Sequence, residues 1–329
     1  MPASLVFSVN FPAKTEKYAL WILLYIYGRI TYSNFGEAEC MKKGLILEGG
    51  AMRGLFTAGV TDVMMENGIE FDGMIGVSAG ACFGCNYKSR QPGRTVRYNL
   101  QYCKDPRYCS FRSLIKTGDL YGADFCYLEL PKKLDLFDYK TFLENPMEFY
   151  VVCTDVETGK AVYRRLTHGD RNEMHWIRAS ASMPLASRIV EVDGYKLLDG
   201  GIADSVPLKY FESIGYDRNV VILTQPADYV KKPNKLIPLM RRVLRKYPKV
   251  VDTMARRHEI YNETTAYIRE KERKGEVFVI RPAAKLEVGH VEHDPAKLRA
   301  AYELGRRAGE ENLHAMKRFL GLEDGKQEK

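Results

Sequence analysis

Apolar residues gather in short runs that end at glycine. Residues 44–47 lead into Glu48-Gly49-Gly50, and residues 74–77 lead into Ser78-Ala79-Gly80. Apolar runs of this length, closed by turn residues, predict strands buried on both faces. A helical pattern follows each one. Over 55–66, Leu55, Ala58, Gly59, Asp62, Val63 and Glu66 recur near helical spacing, and Gly68 supplies the stop. A second helix is predicted over 79–88. Strand, helix, strand, helix is the signature of a parallel sheet with crossover helices.

Pro92-Gly93, Asp105-Pro106 and Asn145-Pro146 then punctuate a stretch of loops and helices laid over the sheet. Strands are predicted over 149–154 and 160–166, joined at Glu157-Thr158-Gly159. A helix over 173–182 ends before Pro184. Residues 188–192 and 195–198 form a hairpin around Asp193-Gly194, which delivers Asp199 at a strand end. A further buried strand is predicted over 219–224. Beyond Gln225-Pro226 the pattern turns to charged helices over 235–246 and 249–274, a strand over 277–281, and helices to about 320. The chain thus divides into an α/β domain over 41–225 and a basic, mainly helical region over 226–329. The boundary is soft, because 277–280 has the composition of another sheet strand.

Composition adds bounds. At 329 residues, 45% hydrophobic and 28% charged, the chain is globular and has no low-complexity tract. Its seven cysteines are odd in number and widely spaced, which argues against a disulfide framework. Cys82 and Cys85 form a C-x-x-C pair inside an apolar helical run, with no second pair, and read as structural thiols. The apolar stretch 19–27 is too short to span a bilayer. Lys14 and Lys17 precede it, but no small-residue cleavage site follows. Met41 is the expected natural start, with 1–40 an extension that is not native; a short amphipathic anchor is the alternative. The net charge of +8 is uneven. Residues 231–274 hold 14 Lys and Arg against 5 Asp and Glu, leaving the rest near neutral. Such a stretch is either a solvated helix face or a surface for anionic lipid or nucleic acid.

Three motifs carry the chemistry. Gly76-Val77-Ser78-Ala79-Gly80 follows a predicted strand and opens a predicted helix, the context in which a serine is exposed as a nucleophile. Gly49-Gly50-Ala51-Met52-Arg53-Gly54 also joins a strand to a helix. A dinucleotide loop is broken at its third position by Ala51, and no Gly-Lys-Ser/Thr is present for a phosphate loop. Backbone amides aimed at a developing oxyanion explain the same run. Asp199-Gly200-Gly201 supplies a carboxylate at a sharp turn. In this order the set reads as a serine acyl hydrolase that needs no histidine. A Ser-Asp-His hydrolase would draw on His258, His290, His293 or His314. His290 and His293 also make a loose metal-like H-x-x-H beside Glu292. A lipid-binding module with a decayed site is the non-enzyme alternative, against which the intact Ser78, Asp199 and glycine loop argue.

The chain resembles the patatin-like phospholipases, of the bacterial type with a basic C-terminal region. The likeness covers about 41–320 and rests on Glu48 through Gly54, Gly76 through Gly80, Ala179-Ser180-Ala181-Ser182-Met183-Pro184 and Asp199-Gly200-Gly201. It implies a three-layer α/β/α fold with a mostly parallel central sheet. It implies a dyad of Ser78 as nucleophile and Asp199 as general base, with an oxyanion hole from amides near Gly50 and Ala51 and with Arg53 holding the loop. Ala51 stands where the family usually has glycine, which keeps the amide but bears on the loop dihedrals. The implied substrates are glycerophospholipids or acylglycerols, cleaved through an acyl-enzyme. No metal or cofactor is expected, since the amides meet the charge that calcium would otherwise meet. No nucleic-acid partner is expected. The expected location is cytoplasmic, with peripheral contact to anionic membrane through 231–274. The C-terminal likeness is to a region of unknown role.

Overall fold

The computed structural model describes residues 41–169 and 171–322. The expectations for 1–40 lie outside the described residues. In chain order the elements are β1 (Lys42–Leu47), α1 (Gly54–Glu66), β2 (Gly73–Val77), α2 (Ala79–Lys88), α3 (Arg94–Tyr102) and α4 (Phe111–Thr117). A π-helical segment (Phe125–Leu134), α5 (Tyr139–Glu144), β3 (Glu148–Asp155), β4 (Ala161–Leu166), α6 (Arg171–Ser180), β5 (Val190–Val192) and β6 (Tyr195–Asp199) follow. The last elements are α7 (Leu208–Ser213), β7 (Tyr216–Ile222), α8 (Ile237–Val243), α9 (Pro248–Arg273), β8 (Val277–Ile280) and α10 (Pro295–Leu320).

The strands form one eight-stranded sheet in the order β5-β6-β3-β2-β1-β7-β8, with β4 paired to β3. The run β3-β2-β1-β7-β8 is parallel, while β4, β5 and β6 pair antiparallel. Strand side chains alternate between two cores, as the two-residue period requires. Leu45, Leu47, Met74, Phe149, Val151, Val220 and Ile222 enter one core with α1, α2, α6 and α10. Ile46, Ile75, Val152 and Val221 enter the other, with Leu208 and Phe211 of α7 and Tyr261 and Ile268 of α9. Helices thus cover both faces of a mostly parallel sheet, the three-layer α/β/α arrangement. Each fully buried aliphatic side chain contributes about 1.5–3 kcal/mol.

Position 226, the expected boundary, lies in the connection after β7, within a single compact unit that spans residues 42–329. Beyond that position, β8 pairs in parallel with β7 from Asn219–Val277 to Ile222–Ile280. Helix α10 starts at Pro295 behind the Asp294 cap and stops at Gly321, whose φ of 67° suits glycine. It crosses α1 backbone to backbone. A Cβ on Gly305 would lie 2.0 Å from the Phe56 carbonyl oxygen, and one on Gly59 would lie 2.2 Å from that of Tyr302. Tyr302 donates to buried Asp62 at 2.8 Å, and burial pushes that carboxyl up to about 6. The sequence reading did not foresee the π-helical segment, which carries Pro131 inside it.

Candidate active site

Ser78 occupies the turn between β2 and α2 with φ 54° and ψ −120°. A non-glycine residue in the left-handed half of the map is strained, and such strain persists only where the surroundings fix it. The surroundings here are tight. A Cβ on Gly80 would lie 2.4 Å from the Leu47 carbonyl oxygen, and one on Gly76 would lie 2.6 Å from the Ala81 nitrogen. The Ser78 amide donates to Ser180 Oγ at 2.9 Å, and Ser180 Oγ donates to the Val152 carbonyl at 2.6 Å. Helix α6 thus pins the serine turn to β3.

Sheet register brings Asp199 to the same place. Strand β4 lines one edge of β3 from Phe149 to Thr154. On the other edge, β2 pairs up to Val77–Val152, and β6 takes over from Cys153–Asp199. The end of β6 therefore abuts the end of β2, and Asp199 faces the serine turn. The Asp193-Gly194 hairpin turn, with φ of 49° and 80°, sets this register. Asp199 is 1% exposed. Its Oδ1 accepts the Gly201 amide at 2.7 Å, while Oδ2 is buried without a hydrogen-bond partner. Burial raises the Asp199 pKa; the Ser78 hydroxyl, Arg257 and the Gly201 amide oppose the rise. The Ser78 hydroxyl is thus close enough to act on Asp199 while its contact falls short of a complete hydrogen bond.

The glycine loop packs on the serine from above. A Cβ on Gly49 would lie 2.9 Å from Ser78 Cβ. Gly50 and Ala51 follow, with Ala51 at φ 48°, and Arg53 donates its amide to the Gly50 carbonyl at 3.1 Å. Gly54 begins α1 against Ala79 and Phe83. The likeness assigned Arg53 to holding this loop. Arg53 Nη2 lies 3.3 Å from where a Cβ on Gly50 would stand, and side-chain hydrogen bonds to the loop come from Thr224, whose hydroxyl donates to the Gly49 carbonyl at 3.1 Å. Buried Glu48 accepts from the Thr224 amide at 2.6 Å and from Tyr261 of α9 at 2.8 Å. Arg53 Nε is buried with no partner. Gly200 and Gly201 lie in a short turn after Asp199, where Arg257 of α9 donates to the Gly201 carbonyl.

Two cavities meet at Ser78. One, of ≈ 370 Å³, has an apolar wall that includes Met52, Phe83, Tyr98, Leu130, Ile177 and Val291. Cys82 and Cys85 also line it as free thiols, with burial pushing them up to about 12 and about 11. The other, of ≈ 260 Å³, is lined by Asp199, the glycine loop, Arg53, Lys231, Lys232 and Arg257. Ser78, Ala51, Met183 and His290 belong to both.

Among the histidines, His290 borders both cavities and His258 lines the polar one. Much of His290 is open to solvent, but loss of water around the ring and then Arg53, Arg257 and Lys231 lower its pKa. His258 Nδ1 lies 3.0 Å from the Ala255 carbonyl, and His293 Nδ1 contacts the Cys103 carbonyl. Among the described residues, no imidazole hydrogen bond to Asp199 is present, and no group of three His, Cys, Asp or Glu is placed to hold a metal ion. No helix among them is long and apolar enough to cross a membrane. Thr224, Lys231 and Arg257 had no motif to announce them; their placement depends on β7 and α9 folding against the glycine loop.

The sequence model of the patatin-like phospholipases matches residues 45–212, about half of the chain. A second model, described only as a domain of unknown function (DUF6363), matches 247–321. The uncharacterized protein YjjU of Escherichia coli strain K12 is 27% identical over 294 residues, spanning 84% of this chain and 78% of that protein. Lysophospholipase nte1 of Aspergillus niger is 27% identical over 187 residues, which are 53% of this chain but 11% of that protein. The crystal structure of VipD from Legionella pneumophila superimposes with a TM-score of 0.43 at 13% identity, covering 84% of this chain and 67% of that one. The matched span contains the glycine loop, the serine turn and Asp199. The chain belongs to the patatin-like phospholipase family and is a lipid acyl hydrolase.

Proposed function

We propose that Ser78 and Asp199 act as a catalytic dyad. Asp199 Oδ2 takes the proton of Ser78 Oγ as that oxygen attacks the ester carbonyl. The tetrahedral oxyanion falls beside the amides of Gly50 and Ala51, which need no reorganisation to meet it. Asp199 returns the proton to the leaving alcohol, an acyl-Ser78 ester remains, and water activated by Asp199 releases the acid. The acyl chain lies in the apolar cavity. The observation that carries this reading is the buried, unpartnered Oδ2 of Asp199 beside a strained serine. Its test is labelling with a fluorophosphonate, followed by a panel of lipid esters. Labelling at Ser78, absent from Ser78→Ala, is expected. A wild-type protein that is folded, unlabelled and inactive on every ester would end the proposal.

We also propose a reversible contact with anionic membrane through 231–274. Not all of that charge is free. Lys271 pairs with Glu212 and Glu276, Arg273 and Lys274 with Glu270, and Arg256 with Glu259. The exposed basic cluster lies around α8, where Arg242, Arg245 and Lys246 stand beside exposed Leu236, Leu239 and Val243. Each surface cation near an anionic bilayer contributes about 1 kcal/mol. Changing Arg241, Arg242, Arg245 and Lys246 to glutamate is expected to abolish sedimentation with phosphatidylglycerol vesicles. Unchanged sedimentation leaves only a solvated helix face.

A further inference from the structure

The polar cavity beside Ser78 has an electrostatic character that the dyad does not need. Arg53, Lys231, Lys232 and Arg257 converge on it. Among the described residues, none of the four makes an ion pair, and Arg53 Nε is buried without any partner. Two carboxylates stand in the cavity wall: Glu48 is bound by Thr224 and Tyr261, and Asp199, which faces Arg257, accepts from Gly201 with Oδ1. Four cations thus share a space of ≈ 260 Å³ with two carboxylates, which leaves an excess of positive charge.

Lys231 is the best-fixed of the four. Its backbone is clamped to α9 by Asn262, with the Lys231 amide to Asn262 Oδ1 at 2.9 Å and Asn262 Nδ2 to the Lys231 carbonyl at 3.0 Å. Its ammonium lies 4.2 Å from the Tyr261 ring centre and 5.6 Å from that of Tyr229. Loss of water and then repulsion from Arg257 push it down to about 8, with Arg53 adding to the fall and Glu48 opposing it. A free cationic group held among other cations stores repulsion that an incoming anion relieves. Guanidinium and ammonium groups together suit a phosphate, which accepts several charge-assisted bonds at once.

We infer that this cavity binds the phosphate of the lipid head group, so that the segment after β7 and helix α9 select esters with an anionic head group over neutral or zwitterionic ones. The inference rests on the hydrolase reading above and deepens it. It gives the first part of the DUF6363 span a role in the site, because Arg257 comes from there. The acyl chain and the phosphate then leave Ser78 into different cavities.

The test uses three esters of one acyl chain: the monoacylglycerol 3-phosphate, the monoacylglycerol, and the phosphocholine ester. For wild type, kcat/KM on the phosphate ester is expected to exceed that on the neutral ester by about tenfold or more, the worth of a charge-assisted hydrogen bond. Lys231→Met and Lys232→Gln should each shrink that ratio, the first more than the second. A ratio near one in wild type, or a ratio unmoved in both variants, overturns the inference while leaving the hydrolase intact. Calorimetric titration with glycerol 3-phosphate gives a readout that needs no turnover. Binding by wild type that weakens in Lys231→Met supports the inference even if no ester is cleaved. Absence of binding counts against it. Inorganic phosphate binding as tightly as glycerol 3-phosphate, with no preference among the esters, would make the cavity a free-anion site and overturn the head-group assignment.

Discussion

The two walls around Ser78 differ in construction. The apolar wall comes from residues between 51 and 187 with two from the loop at 290 and 291, and most of its members are apolar or aromatic. The charged wall is assembled from Arg53, Asp199, Lys231 and Arg257, which the sheet order and α9 bring together from across the chain. An apolar wall tolerates volume-conserving changes and separates neighbouring chain lengths by only about 1–3 kcal/mol per methylene. A charged wall works only with its atoms in place, and its discrimination is correspondingly sharper. On the proposals above, breadth of acyl chain belongs to one side and choice of head group to the other.

Asp199→Asn cuts deepest, because it strikes the centre that both walls serve. In the proposed dyad nucleophile and base act as one unit, so kcat is expected to fall on the order of a thousandfold or more, as in Ser78→Ala, on every ester alike. The thermal midpoint of each variant checks that the fold persists. His290→Ala is the contrasting change, since His290 borders both cavities; its kcat is expected to stay within about tenfold of wild type. A loss there as large as at Asp199 would restore the serine–histidine reading. Asp199 also sets the acid side of the pH profile. Burial raises its pKa, so it is protonated, and unable to act as base, at a higher pH than an ordinary aspartate. The acid limb of kcat/KM should therefore lie above the usual carboxylate range, and a limb near 3.8 would contradict the burial argument.

Much of the centre was legible beforehand, and the reasons are local. Strands β1 and β2, helices α1 and α2 and the hairpin at Asp193-Gly194 are written in runs of adjacent residues. Ser78, Asp199 and the glycine loop sit at the ends of those runs. The handover along β3, in which β6 continues where β2 stops, is a matter of strand order, and no local pattern encodes it. Arg257 reads in sequence as one more charge on a polar helix. Nothing near it says that it turns toward Gly201 while Arg256, beside it, pairs with Glu259 on the surface. A charge count over 231–274 mixes the two. The strand at 277–280 was recognisable as a strand, but its place beside β7 depends on α9 returning the chain to the sheet edge.

The apolar wall is sharpened by Cys82→Phe. Cys82 is half-buried one helical turn beyond Ser78, with Sγ 3.5 Å from the Tyr127 hydroxyl. A phenyl ring there narrows the apolar cavity one helical turn from the serine. The expected result is a shift toward short chains, with kcat/KM on a long-chain ester falling about tenfold relative to a short-chain one, alongside a stability loss of about 1–3 kcal/mol. An unchanged chain-length profile in a folded variant would place the acyl chain elsewhere.

The charged wall is sharpened by pH. Lys231 carries its charge below about 8 and loses it above. Groups facing it are Arg257, Arg53 and Glu48, with the rings of Tyr229 and Tyr261. For a phosphate ester, kcat/KM reports the free enzyme and should decline as pH rises through about 8, by at most about tenfold. The neutral ester should show no such limb. Phosphate bound beside the ammonium favours its charged form, so the corresponding limb in kcat should lie at higher pH. Identical alkaline limbs for both esters would detach Lys231 from head-group choice.

Ala51→Gly is the mildest change and tests the point where both walls join. Ala51 lines both cavities and sits at φ 48°, where a side chain costs about 1–2 kcal/mol and glycine costs nothing. Glycine also loosens the unfolded chain, which costs about 0.4–1 kcal/mol on folding. The two effects oppose, and the strain term is the larger, so the variant should be equal to wild type or more stable by up to about 1 kcal/mol. The amide at position 51 is kept, and neighbouring Gly49 remains tied to Thr224 and Glu48 remains tied to Tyr261. Turnover should therefore change by no more than about threefold on any of the esters. A clear loss of stability would mean that the methyl group packs usefully enough to outweigh its dihedral strain. A large loss of turnover at unchanged stability would mean that Ala51 holds the oxyanion amides in line by resisting the very freedom that glycine restores.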